Sequence, residues 1–395
     1  MVRKGVTTAP MASLLDTMRV GLVLGAGGIQ GGAWLTGGLY ALAAETGWDP
    51  MDAKRIVGTS AGSMIGSIVA AGTPLWFMVA HSAGESIDGL TDARGRPASE
   101  ADRSAGAVFH LAKAWPPIGP GSWPLALRTV ANPRRYPAAS IAAGWLPRGF
   151  ISTEPLKDIV RRSSGEGWSP HEGMRVVACD YATGRRVVFG RPSSPKAELA
   201  DAVAASCAIP GFYHPVEISG RRYVDGGMYS TSNLDILRDA HMDLVICLNP
   251  TSSLHPTRAW NPLEWGARAI RGATGRRLGY EAKRMRTNGS EVVLVQPLAE
   301  DLAAMGGNLM SRRNQHRTIE VAIETVKRQL NRPENAELLA KLPRAKRQEK
   351  IQRPAGPPSE WPSLRIEDLR PGAPLYEETP AGSANGDGAG LPDPA

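Results

Sequence analysis

The sequence is poor in the residues that staple a fold or hold a metal. It has three cysteines in 395 residues, Cys179, Cys207 and Cys247, and no two form a CxxC pair. That scatter excludes a disulfide framework and a zinc ribbon or finger, and it points to a reduced, cytoplasmic chain with no metal. Aromatics make up 6 %, with only five phenylalanines. No stretch of about 20 residues is free of charge and helix breakers, which excludes a polytopic membrane protein. The 44 glycines and 32 prolines follow no fixed period, so collagen-like and heptad readings fail, and no repeat of roughly 20–50 residues is present. A cleaved secretory signal is not expected, because Arg3 and Lys4 lead into Thr7, Thr8, Pro10 and Asp16 rather than an apolar core.

What is present is ordinary for a folded chain: 42 % hydrophobic and 21 % charged residues. The length predicts one large domain with insertions, or two domains. Charge is unevenly spread. Lysine and arginine exceed the acids by 46 − 38 = +8, and residues 351–395 hold three basic and seven acidic side chains, so the preceding 350 carry +8 − (3 − 7) = +12. Such a body suits an anionic membrane or nucleic acid, or is simply a solvated surface.

Arg19 to Gly25 is a short β-branched run ending in glycine and reads as a buried strand. A glycine loop follows, then a helical stretch from Ala33 to Glu45, a second strand at Arg55 to Gly58, and a small-residue helix at Ala61 to Ala71. This alternation is the grammar of an α/β domain with a parallel sheet. Residues 72–149 break the rhythm; rich in Pro and Gly and carrying Trp76, Trp115, Trp123 and Trp145, they read as a cap inserted over the sheet. The alternation then resumes, with a helix at 153–162, strands at 175–181 and 186–190, a helix at 196–206, strands at 243–248 and 291–296, and a helix at 315–330. Residues 1–18 read as an N-terminal arm, 19–335 as the folded domain, and 336–395 as a basic, then Pro/Gly-rich, disordered tail with nine prolines in its last 45 residues.

Two motifs carry chemistry. Gly25-Ala26-Gly27-Gly28-Ile29-Gln30-Gly31-Gly32 follows the first strand. Glycines there let the backbone turn sharply and aim N–H groups at one anionic spot, a phosphate or a developing oxyanion. A tight packing turn is the plain alternative, and a dinucleotide site with Glu45 on the ribose is another. Gly58-Thr59-Ser60-Ala61-Gly62 stands between a strand and a helix, the context of a nucleophile elbow; otherwise Ser60 is a helix cap. A nucleophilic serine needs a base. Asp225, in Tyr223-Val224-Asp225-Gly226-Gly227, ends an apolar strand, although Asp-Gly-Gly also suits a hairpin turn. Only His241, His255 and His316 lie after Asp225, as a Ser…Asp…His triad would require, and none sits in a glycine-framed loop.

The glycine loop, Gly-Thr-Ser-Ala-Gly about 30 residues on, and the distant Asp-Gly-Gly together resemble the patatin-like phospholipase family. Ala204-Ala205-Ser206-Cys207-Ala208-Ile209-Pro210, Phe212, Pro215, Gly220 and Asp180-Tyr181-Ala182-Thr183-Gly184 add to the likeness, which spans roughly residues 19–250. It implies a three-layer α/β/α fold with a mainly parallel sheet and a Ser–Asp dyad without histidine. Ser60 would be the nucleophile, framed by Gly58 and Gly62 in the elbow, and Asp225 the base. Gly27, Gly28 and Gly31 would build the oxyanion hole, the first two as donors and Gly31 for the turn. Where the family loop commonly reads Gly-Gly-Gly-x-Arg/Lys-Gly, this chain has Ala26 and Gln30.

The resemblance further implies hydrolysis of carboxylic esters of lipids, in the manner of a phospholipase A or esterase, with a lipid substrate, no cofactor and no nucleic acid. A basic stretch at 262–286 has apolar residues Leu263, Ala267, Ile270, Leu278 and Met285 on one helical face, opened by Asn261 and Pro262 and interrupted by Gly272 and Gly275. It and the Trp-bearing cap are candidates for peripheral contact with the inner face of a membrane. The same helix also reads as a packed stripe, and the cap tryptophans as the lining of an acyl-chain pocket or a small core. An α/β-hydrolase with a histidine and a non-catalytic dinucleotide or anion binder are the alternatives.

Overall fold

The computed structural model describes residues 18–82, 111–112, 119–253 and 262–345, with 262–270 described by backbone alone. Among these residues one sheet is built from β1 (Val20–Leu24), β2 (Arg55–Thr59), β3 (Met174–Asp180), β4 (Arg186–Phe189), β5 (Val216–Ile218), β6 (Arg221–Asp225), β7 (Leu244–Leu248) and β8 (Glu291–Val295). Strands β8, β7, β1, β2 and β3 are mutually parallel, while β4, β6 and β5 join antiparallel. The helices are α1 (Gly28–Thr46), α2 (Ala61–Ala70), α3 (Leu75–Ser82), α4 (Trp123–Ala131), α5 (Ala138–Trp145), α6 (Glu154–Ser164), α7 (Leu199–Cys207), α8 (Pro262–Thr287), α9 (Ala299–Met305), α10 (Gln315–Leu330) and α11 (Pro333–Leu339).

Alternation along the strands explains the layers. In β1, Leu22 and Leu24 pack into a core with Trp34, Leu35 and Leu42 of α1 and Val326 of α10, while Val23 between them packs on the opposite side with Leu237, Leu278 and Met285. A strand that buries both faces needs helices on both, which is why these runs read as continuously apolar. The result is the expected three-layer α/β/α fold with a mainly parallel sheet.

Several elements differ from expectation in informative ways. Helix α1 starts at Gly28 rather than Ala33, because the glycine loop itself forms its first turn. Helix α8 is continuous through Gly272 and Gly275, and Leu278, Ala282 and Met285 are buried against the sheet, so the described part of its apolar stripe is internal packing. Its Leu263, Ala267 and Ile270 fall where only backbone is described. Trp76 belongs to α3 and is buried, whereas Trp123 and Trp145 are exposed, so these three do not line a common pocket; Trp115 lies outside the described residues. Helix α11 crosses the expected boundary at 335, and Leu339, Leu342 and Ala345 beyond it are buried, with Ala345 N–H donating to Gly47 O at 2.7 Å. The N-terminal arm to residue 17 and the tail from 346 lie outside the described residues.

Candidate active site

Strand β3 acts as the ruler that brings Ser60 and Asp225 together. Thr59 of β2 pairs with Val177, and Asp225 of β6 pairs with the next residue, Ala178. Residues 176–177 pair with β2 and β4 at once, and 178–179 with β4 and β6 at once. Since a strand has two edges, β6 continues the edge that β2 leaves. The two strands meet end to end, β2 running up and β6 running down, and Ser60 and Asp225 are the residues at that meeting point.

The local backbone fits the meeting. Ser60 has φ 52° and ψ −123°, a left-handed value rare outside glycine, at the sharp turn from β2 into α2. Gly58 lies against the backbone of Ser63, and Gly62 against the carbonyl of Leu24, so a side chain at either would force the elbow open. The Ser60 hydroxyl faces the Asp225 carboxylate and favours its charged form. Both residues are nearly sealed, at 4 % and 5 % exposure. Burial pushes the Asp225 carboxyl up to about 6, against the Ser60 hydroxyl and the Gly227 N–H, which both favour the charged form. The Gly227 N–H donates to Asp225 Oδ1 at 2.7 Å. After Asp225 the chain makes a 3₁₀ turn, Gly226–Met228, instead of the hairpin that Asp-Gly-Gly also suits.

The glycine loop stands beside the elbow. Gly28 has φ 61°, and a Cβ there would lie 2.9 Å from Leu309 O and 3.0 Å from Met310 Sδ. A Cβ on Gly27 would lie 2.6 Å from both Gly31 Cα and Pro250 Cγ. Among the described residues no backbone carbonyl takes the N–H of Gly27 or Gly28, and both sit at the positive N-terminus of α1. Gly31 N–H, by contrast, donates to Gly27 O at 2.9 Å, so Gly31 shapes the turn. Gln30 is buried: its Nε2 donates to the carbonyls of Ser311 and Arg313, and its Oε1 accepts from Thr318 Oγ1 at 2.7 Å. It fastens the glycine loop to the segment entering α10.

Four further buried residues, to none of which the sequence assigned a role, surround this arrangement. Ser206 Oγ accepts the Ser60 N–H at 2.8 Å and donates to Val177 O at 2.6 Å, occupying the ladder position where β2 ends. Asn233, with φ 51°, donates through Nδ2 to Thr59 Oγ1 (3.1 Å), Gly226 O and Ser230 O, tying the residue before the nucleophile to the residue after Asp225. Glu281 of α8 accepts from Ser230 Oγ (2.7 Å), Ser232 Oγ (2.6 Å), Leu234 N (3.0 Å) and Arg277 Nε (3.1 Å), which clamps the loop after Asp225. Cys207 Sγ lies 3.9 Å from Ser63 Oγ, and burial pushes its thiol up to about 12. The sequence held one hint: Glu281 falls on the apolar stripe of α8 between Leu278 and Met285, where a solvated acid has no place.

The alternatives lose their geometry. His241 is exposed, and His316 is exposed and paired with Glu320 at 3.1 Å; His255 lies outside the described residues. Glu45 binds Lys327 (3.1 Å) and Asn331 (2.8 Å) at the far end of α1, about 25 Å along the helix from the glycine loop. A carboxylate there cannot reach a ribose whose phosphates sit on that loop.

A family model described as patatin-like phospholipase matches residues 22–238. Uncharacterized NTE family proteins of Mycobacterium bovis and Mycobacterium tuberculosis are 28 % identical to this chain over 258 residues. The match covers 64 % of this chain and 56 % of those relatives, so the chain spans little more than half of the proteins it matches.

Proposed function

The chain belongs to the patatin-like phospholipase family, and from that membership we propose a serine lipid acyl hydrolase of phospholipase A or esterase type that works through a Ser60–Asp225 dyad. The single observation that carries the reading is the meeting of the buried Ser60 and Asp225 where β2 and β6 end on β3, with the Ser60 hydroxyl acting on the Asp225 carboxylate and the glycine loop at the same end of the sheet. A carboxyl with a pKa raised to about 6 is ionised at neutral pH yet basic enough to take a hydroxyl proton in the transition state.

Asp225 accepts the Ser60 proton as Oγ attacks the ester carbonyl. The oxyanion that forms is received by the N–H groups of Gly27 and Gly28, each worth about 3 kcal/mol by analogy with other oxyanion holes. Collapse expels the alcohol, which takes back the proton from Asp225 and leaves Ser60 acylated. Asp225 then deprotonates a water that attacks the acyl-enzyme, and the acid is released with Ser60 reprotonated. Ser206, Asn233 and Glu281 act through the backbone of the two loops. On this reading the hydrolase unit runs past the expected end at 335 to include the buried Leu339, Leu342 and Ala345, with 72–149 contributing the cap. Among the described residues no helix is long and apolar enough to cross a membrane.

Labelling with a fluorophosphonate probe, followed by peptide mass spectrometry, tests the proposal. The label is expected on Ser60 of the wild type and on no peptide of Ser60→Ala. Labelling of a different serine, or none in a folded protein that also hydrolyses no nitrophenyl ester, overturns it.

A further inference from the structure

Helix α4 is built with its apolar face outward. Leu125, Ala126 and Thr129 are buried, while Trp123, Leu127 and Val130, at spacings of four and three, are 58 %, 61 % and 64 % exposed. Ser122 caps the helix, accepting the Leu125 N–H at 3.4 Å. Helix α5 packs beside it: Ser122 N–H donates to Gly144 O at 3.3 Å and Gly121 N–H to Leu146 O at 2.8 Å. Those bonds set Trp145 and Leu146, both also exposed, next to Trp123. Single exposed apolar residues are unremarkable, but five large ones on two joined helices form a patch that water disfavours.

The charge around the patch has one sign. From Arg103 to Thr153 the sequence contains no aspartate or glutamate. Arg128, Arg134, Arg135 and Arg148 stand exposed on the described part of that stretch, and no carboxylate pairs with Arg128, Arg134 or Arg135 among the described residues. The patch also adjoins the candidate active site. Ser140 Oγ of α5 donates to Met228 O, three residues after Asp225, at 3.2 Å, and Ser122 Oγ donates to Tyr181 O, just beyond β3, at 2.6 Å.

We propose that the outward face of α4 and α5 is a docking surface for an anionic phospholipid bilayer. Trp123, Leu127, Val130, Trp145 and Leu146 enter the headgroup boundary, and the arginines meet the lipid phosphates. Tryptophan and leucine flanked by arginine, with no acid in the same stretch of chain, is the chemistry of an interfacial helix; a site for a second protein copy would pair some of these arginines with carboxylates. The proposal deepens the lipid hydrolase reading and rests on it, because it brings the helices bonded to the segments beside Asp225 to the bilayer.

The test is co-sedimentation of the full chain carrying Ser60→Ala, which keeps the vesicles intact, with phosphatidylglycerol-rich and pure phosphatidylcholine vesicles. Strong binding is expected only to the anionic vesicles and is weakened by salt. Leu127→Ser with Val130→Ser should lower partitioning by about tenfold or more. Arg134→Ser and Arg135→Ser should each lower it by about fivefold, on anionic vesicles only. All four positions are exposed, so melting temperatures should match the parent. No sedimentation with anionic vesicles at low salt overturns the proposal. So does equal binding by the apolar variant, or a dimer that this variant dissociates without changing vesicle binding. A protein that sediments as expected but hydrolyses no ester as wild type would sink the hydrolase reading alone.

Discussion

The loops that meet at β3 and the cap helices α4 and α5 solve opposite problems. Around Ser60 and Asp225, nearly every polar group is satisfied by another buried group, glycines let backbones touch, and the strain at Ser60 is held in place by Ser206, Ser63 and Asn233. On the cap, large apolar side chains face water and nothing in the described fold covers them. On the proposed reading the two regions divide the work. Chemistry depends on backbone placed to a fraction of an ångström, so it is intolerant of substitution; access to lipid depends on summed surface, so it changes by degrees.

The largest effects should therefore fall at the strand junction. Ser60→Ala and Asp225→Asn are each expected to lower kcat/KM for a soluble nitrophenyl ester by about 10⁴-fold, measured by initial rates. Asp225→Asn should at the same time make the protein more stable. The unfolded carboxyl releases its proton near 3.8 and the folded one near 6, so stability falls as pH rises between those values. Above the upper one, the buried charge costs on the order of 3 kcal/mol. Chemical denaturation should show that gain for Asp225→Asn at pH 8 and little of it below pH 4; equal stability at both pH values would contradict the assignment of a desolvated carboxylate.

Next comes the glycine loop. Gly28→Ala places a Cβ 2.9 Å from Leu309 O at a left-handed φ, displacing an oxyanion donor, and should cost about 10²–10³ in kcat. Asn233→Gly keeps the left-handed backbone but removes the link between Thr59 and Gly226. A loss of roughly 10–100-fold in kcat with KM unchanged is expected, since misplacement of reacting groups by about 1 Å suffices for that. A loss in stability with kcat intact would make Asn233 structural only. The smallest effect should be on the cap: Leu127→Ser with Val130→Ser should leave soluble-ester kcat/KM within about twofold, while lowering the rate on anionic vesicles.

Much of the junction was legible beforehand. The runs at Arg19–Gly25, Arg55–Gly58 and Arg175–Tyr181 gave their strands because doubly buried parallel strands must be apolar throughout. The two glycine motifs marked the loops because tight backbone contact leaves little choice of residue. The end-to-end meeting of β2 and β6 was not legible, since it depends on two registers to β3, one joining residues 118 positions apart and the other residues 43 to 47 apart. Nor were the partners of Gln30, Ser206 and Asn233: a lone buried polar residue has no periodicity, and what it binds is fixed only by the fold. The cap helices hid behind prolines, although Ser122 followed by Pro124 is a helix start in hindsight. Their outward apolar face could not be told from a core-facing one, because amphipathic spacing does not say which side the body is on.

The central claim is that an aspartate, with no histidine, takes the serine proton. The most direct measurement is the pH dependence of kcat/KM on a short-chain nitrophenyl ester, for the wild type and for His81, His110, His171, His214, His241, His255 and His316 each changed to glutamine. The account predicts a single ionisation near 6, with activity rising as Asp225 loses its proton, and the same limb in every histidine variant. A rising limb that disappears in one histidine variant together with the activity would contradict it and put a triad in place of the dyad.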